Sequence, residues 1–101
     1  YQYNNYFFVH AGIDPNIALN KQDRQVLIWT RKITYPKDFK KIIVHGHTPH
    51  NEIENLPNRI NLDTGAFYSG TLSCLLIDVK SNKRQFFNTK NGILFWEWFF
   101  S

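Results

Sequence analysis

Apolar residues come along this chain in short bursts separated by turn-forming polar residues. Tyr6–Val9, Ile42–Val44 and Thr71–Val79 are such bursts. Runs of this length between Gly, Pro, Asn and Asp predict strands. Arg59–Leu62 alternates polar and apolar, the pattern of a half-buried strand. "KSNK" reads as a hairpin turn that returns Thr71–Val79 into a partner strand, "RQFFNTK". The 3.6-residue period predicts one helix, Asn20–Lys32, capped at Asn20 with Val26, Leu27 and Arg31 at helical spacing. "AGIDPN" and "TGAFYSG" read as turns. "ITYPKDFKK" and "GHTPHNEIENLPN" read as loops, the first because Pro36 pushes Tyr35 out of the helical region. The apolar tail at 90–101 is either an extra strand or a docking surface. The element order predicts an α/β (α+β) domain, mainly one β-sheet with a flanking helix.

A chain of 101 residues forms one domain, residues 1–101, and buries ~65% of its unfolded surface. Aromatic residues make up 17%, which excludes a disordered chain. The single cysteine, Cys74, excludes an internal disulfide; inside "LSCLLIDV" it reads as a buried, inert thiol, as in a reducing, cytoplasmic setting. No apolar run is long enough to span a bilayer, and the first ten residues lack the basic region of a signal peptide, so no membrane partner is expected. The net charge of +4 is scattered apart from Lys37, Lys40 and Lys41, which argues against a nucleic-acid interface. The chain lacks Met and enters an apolar run almost at once, so it reads as a piece of a longer polypeptide.

Three strand candidates end alike: "YFFVH" at His10, "KIIVH" at His45 and "RINLD" at Asp63, each followed within three residues by Gly12, Gly46 or Gly65. Ligands of sheet proteins collect beyond the carboxyl ends of strands. One strand-end histidine is ordinarily structural; repetition at His10 and at the His45/His47 pair points to metal ligation, since neutral imidazole is a common ligand of borderline cations. A metal needs three or four protein ligands, so carboxylates or amides must add to these. A cupin-like set of His45, His47 and Glu52 has suitable spacing, but no His follows His50 and a long helix fits a β-barrel poorly.

"FFVHAGIDPN", "VLIWTR", "IIVHGHTP" and "NRINLDTGAFYSGTLSCLLID" occur in this order between Tyr6 and Asp78. Together they resemble the C-terminal half of a bacterial serine/threonine protein phosphatase of the calcineurin-like metallophosphoesterase superfamily. The resemblance implies a partial metallophosphoesterase sandwich. It implies phosphomonoester hydrolysis of a phosphoprotein or phosphopeptide at two divalent ions, Mn²⁺ or else Fe or Zn. At the matching positions it implies His10 and His47 as ligands of one metal and Arg31 as a phosphate-binding residue. His45 then supports the site through a hydrogen bond, and Asp63 orients a histidine or ties down the "TGA" turn. Gly46 and Thr48 read as structural, Gly46 by allowing a tight turn and Thr48 by bonding a nearby backbone group; His50 reads as a solvated surface residue.

The family's D-x-H, G-D-x-x-D-R-G and G-N-H-E motifs are absent from these 101 residues. The expected partner is therefore the N-terminal half that carries them, and the chain alone is expected to be inactive, with one sheet face bare. Two other functions stay open: a fragment of a symmetrical dinucleoside-tetraphosphatase-like hydrolase, and a degenerate, non-catalytic interaction module.

Overall fold

The structure, a computed structural model, describes residues 1–89 and the backbone of Trp98–Phe100. Its centre is β3 (Ile42–His45), every residue of which is buried. Such a strand must be covered on both faces, and its near-continuous apolar run matches that setting. β2 (Tyr6–Phe8) and β5 (Arg59–Asn61) pair with it in parallel, Phe8 beside Val44 and Val44 beside Ile60. β1 (Gln2–Tyr3) and β4 (Glu54–Leu56) close the edges antiparallel, giving a mixed sheet of order β1-β2-β3-β5-β4.

Strand alternation divides the core into two layers. Tyr6, Ile42, Val44 and Ile60 point to one face and meet Phe86; Ile43 points to the other and meets Ile13 and Tyr35. Phe86 belongs to a second sheet, β6 (Ser73–Ile77), β7 (Lys83–Asn88) and β8 (Trp98–Phe100), all antiparallel. Leu75 and Ile77 of β6 pack beside Phe86 against the first sheet. The opposite face is covered by the segment between β2 and β3, through Leu19, Leu27 and Phe39. The molecule is thus a small α+β domain built mainly on one mixed five-stranded sheet, with a smaller three-stranded sheet packed on one face and the segment between β2 and β3 on the other.

The helix is shorter than its periodicity predicts. α1 spans Arg24–Trp29 and is capped by Asp23, whose side chain accepts from the Gln25 amide. Asn20 lies instead in a separate 3₁₀ turn, Leu19–Lys21. Between them the Gln22 side chain takes the Asp14 amide at 2.8 Å and donates to the Asp14 and Ile17 carbonyls, which holds 14–22 as a loop. At the other end Thr30 is extended and its hydroxyl accepts the Lys32 amide, a local bond that competes with another helical turn. Arg31 therefore follows the helix.

Three further expectations are corrected. "TGAFYSG" contains a four-residue helix, α2 (Ala66–Ser69), bracketed by left-handed Gly65 and Gly70. The loop after His47 contains β4. Cys74 is exposed, because residues 73, 75 and 77 of β6 face the core and 74 and 76 face outward. The proposed hairpin of β6 and β7 forms, with Asp78 Oδ1 accepting the Lys80 amide in the turn. In the tail, Trp98–Phe100 extends the second sheet; the remainder of the 90–101 expectation lies outside the described residues. Among the described residues, no helix is long and apolar enough to cross a membrane.

Candidate functional site

The parallel strands β2, β3 and β5 point the same way, so the segments that follow them meet at one end of the sheet. An open cleft of about 450 Å³ lies there, lined by His10, His47 and Asp63 over a floor that includes Phe8, Val44 and Leu62. Backbone bonds tie the three segments together: the Gly46 amide donates to the His10 carbonyl at 2.8 Å, and the His50 amide to the Asp63 carbonyl at 2.9 Å.

His10 is carried by a segment docked onto α1, where the Ala11 amide donates to the Leu27 carbonyl at 2.9 Å. Gly12 lets that segment pass close to its neighbours. A Cβ there would stand 2.9 Å from the Tyr35 hydroxyl and 3.0 Å from Thr30 Cγ2. The Tyr35 hydroxyl in turn accepts the Ile13 amide, and burial pushes its pKa up.

His47 is centred in a three-residue turn. Its φ is +67°, and the Thr48 amide donates to the Gly46 carbonyl at 2.8 Å across it. This positive-φ γ-turn is rare and strained for a residue with a Cβ. Gly46 was expected to allow the tight turn, but it has no positive φ, and a Cβ on it would make only ordinary contact with Asp63 Cβ at 3.6 Å. The Thr48 hydroxyl is buried without a hydrogen-bond partner; the expected bond is made by its backbone amide.

The turn brings the His47 ring 5.0 Å from the His10 ring, tilted 59°. Trp29, at the end of α1 and 64% exposed, stands edge-on to His47 at 5.9 Å. No family model, curated protein or solved structure matches the chain. With metal–nitrogen bonds of about 2.0–2.1 Å, two imidazoles on one ion place their centroids about 4.5–5.2 Å apart, which the His10–His47 spacing satisfies. The spacing is one that two ligands of a shared ion can have. Among the described residues, no group of three or more His, Cys, Asp or Glu side chains is placed to hold a metal.

The other expected residues sit as follows. His45 is buried, 3% exposed, with Nδ1 2.9 Å from the Gly46 carbonyl and Nε2 3.1 Å from Arg59 Nη1. The guanidinium can only donate, so Nε2 accepts and Nδ1 carries the proton to the Gly46 carbonyl. Burial is the main cause that lowers its pKa and keeps the ring neutral. Asp63 Oδ1 accepts the Gly65 amide at 2.9 Å, which is the turn-tying arrangement of the two expected for it. Arg31 is exposed and outside the cleft lining. His50 is exposed, and its Nδ1 lies near the backbone of Glu52.

Sequence reasoning did not single out Trp29, Glu54, Arg59 or Asn61. Arg59 is 7% exposed and forms a bidentate pair with Glu54, Nη1–Oε1 3.1 Å and Nη2–Oε2 3.2 Å. That pair holds the Glu54 carboxyl well below the usual range, at about 2. The available signal was an acid and a base flanking "NLPN", whose last two residues make the turn between two short strands.

Proposed function

We propose that this chain forms the histidine wall of a metal-dependent phosphoprotein phosphatase of the calcineurin-like metallophosphoesterase type. The observation that carries the reading is the 5.0 Å approach of His10 and His47 at the carboxyl ends of adjacent parallel strands. Both rings serve one ion in this reading, each offering a neutral nitrogen. The remaining carboxylate and amide ligands, and the D-x-H, G-D-x-x-D-R-G and G-N-H-E motifs that hold them, come from a segment outside these 101 residues. Divalent ions, Mn²⁺ or else Fe or Zn, supply Lewis-acid polarisation of a phosphoryl oxygen when bound.

The chain's own residues contribute binding and orientation. Arg31, exposed and free of the helix, offers a fork of donors that matches phosphate oxygens once the substrate is present. Asp63 fixes the "TGA" turn beside the cleft, and His45 holds the Gly46 carbonyl. The segment "VHAG" is locked to α1 and to Gly46, so His10 is presented from a fixed backbone.

Mn²⁺ titration followed by histidine ring NMR tests the assignment. His10 and His47 are expected to broaden together at the lowest Mn²⁺ concentrations, ahead of His50, and His47→Ala should abolish the effect at His10. Broadening led by His50, or none at millimolar Mn²⁺, would sink the ligand assignment. p-Nitrophenyl phosphate hydrolysis is expected only when a segment bearing the three absent motifs is supplied; robust turnover by these 101 residues alone would overturn the shared-site reading.

A further inference from the structure

Hydrogen bonds connect the strained turn at His47 to one carboxylate, that of Glu54. In β4, Glu54 lies opposite Asn61 of β5, and Asn61 lies beside His45 of β3. Cross-strand partners share a sheet face, so Glu54, Asn61, His45 and Arg59 all project from the face that carries Ile43. There they form one hydrogen-bonded group. Glu54 takes both Nη atoms of Arg59 and also the Asn61 Nδ2, at 3.0 Å.

Two branches run from that carboxylate to the His47 turn. On one, Arg59 Nη1 donates to His45 Nε2, which leaves His45 Nδ1–H to donate to the Gly46 carbonyl. On the other, Asn61 Nδ2 donates to the Thr48 carbonyl at 2.8 Å, while Asn61 Oδ1 accepts the Asp63 amide at 3.0 Å. The carbonyls immediately before and after His47 are therefore both fixed by side chains that depend on Glu54. A positive φ at a residue with a Cβ persists only where its surroundings over-determine it, and this group does so.

We infer that Glu54 is a positioning residue: acting through Arg59–His45 and through Asn61, its carboxylate holds the His47 imidazole in register with His10. Without that charge Arg59 has no anion to orient it, His45 loses the donor that sets its tautomer, and Asn61 is free to turn from Thr48. The turn can then relax toward negative φ, which carries the His47 ring away from His10 and Trp29. The geometric part of this inference is independent of the proposed function; its consequence for ion binding rests on that reading.

The test compares wild type with Glu54→Gln, using isotope-labelled histidine and a Zn²⁺ titration. Wild type is expected to show nuclear Overhauser contacts between the His10 and His47 rings and between His47 and Trp29. In Glu54→Gln these contacts should fall at least about threefold while the amide shifts of β2 and β3 stay native, and Zn²⁺ affinity should fall about 10–100-fold. A purely structural role would lower stability yet leave the ring contacts unchanged in the folded protein, and that result overturns the inference. So does equal Zn²⁺ affinity in the two proteins. If Glu54→Gln does not fold, Glu54→Asp, which keeps the charge but withdraws it by one methylene, is read for the same loss of ring contact; unchanged contacts there also overturn it. Failure of wild type to bind Zn²⁺ removes the metal reading alone, and the ring contacts then decide the role of Glu54.

Discussion

His47 holds a backbone conformation that glycine would adopt at lower cost. Left-handed φ costs an ordinary L-residue about 1–2 kcal/mol, partly offset in any glycine variant by the greater entropy of its unfolded chain. His47→Gly is therefore expected to raise stability by ~0.5–1 kcal/mol in urea denaturation while removing the candidate ligand. Gly46→Ala should be near neutral, since its Cβ meets only ordinary contacts. The two changes together separate strain at His47 from a requirement for glycine at 46. Glu54 gives the second prediction at this scale. Its folded pKa of about 2 lies below its ordinary 4.5, so the stabilisation it provides is complete above about pH 5 and is lost as pH falls toward 2. The stability gap between wild type and Glu54→Gln, ~2–3 kcal/mol at neutral pH, should close across that window. A gap that is constant from pH 6 to pH 2 would show that the ion pair is not its source.

α1 is only six residues long, so its ends matter as much as its face. Asp23→Ala removes the side-chain acceptor of the Gln25 amide and is expected to cost about 1 kcal/mol. Asn20→Ala, at the position the periodicity selects as the cap, should change stability by less than about 0.5 kcal/mol. Guanidinium unfolding of the two variants decides between the caps. The same segment shows what a sequence can and cannot reveal. The helix itself is legible from Val26, Leu27 and Arg31 at helical spacing, and Leu27 does pack on the core. The boundaries are not, because they depend on Gln22 and Thr30 choosing local backbone partners over a helical turn. β2, β3 and β6 were legible from apolar runs ending at turns, β5 from alternation, and β7 from the "KSNK" turn that precedes it. β4 was hidden by its three-residue length within a proline-containing stretch, and α2 by the glycines at both its ends. The strand-end convergence of His10 and His47 was legible from repetition of one local pattern. The Glu54–Arg59–Asn61 group was not, since its members meet only through strand register.

At the scale of the whole molecule, the cleft opens at the strand ends on the face of the first sheet that the second sheet covers, since its floor residues Phe8, Val44 and Leu62 belong to the cluster that Phe86 enters. Phe86 is the β7 side chain that enters the buried cluster of Tyr6, Ile42, Val44 and Ile60, and it is 6% exposed. Leu75 and Ile77 flank it but stay partly open. Much of the attachment between the layers therefore passes through one aromatic ring. Phe86→Ala would leave a cavity facing Val44, one residue before His45 and three before His47. Loss of a buried phenylalanine costs about 3–5 kcal/mol, a large share of the ~5–15 kcal/mol available to a domain. Leu76, on the outward side of β6 and 50% exposed, serves as the control, with an expected cost below about 0.5 kcal/mol. Because the two sheets share one core, Phe86→Ala should lower a single cooperative unfolding transition, seen alike by far-ultraviolet circular dichroism of the sheets and by Trp29 fluorescence near the cleft, isolated by placing the change in a background with Trp96→Phe and Trp98→Phe. Two separated transitions would mean that the second sheet unfolds independently. The strand ends that present His10 and His47 would then keep their geometry without it.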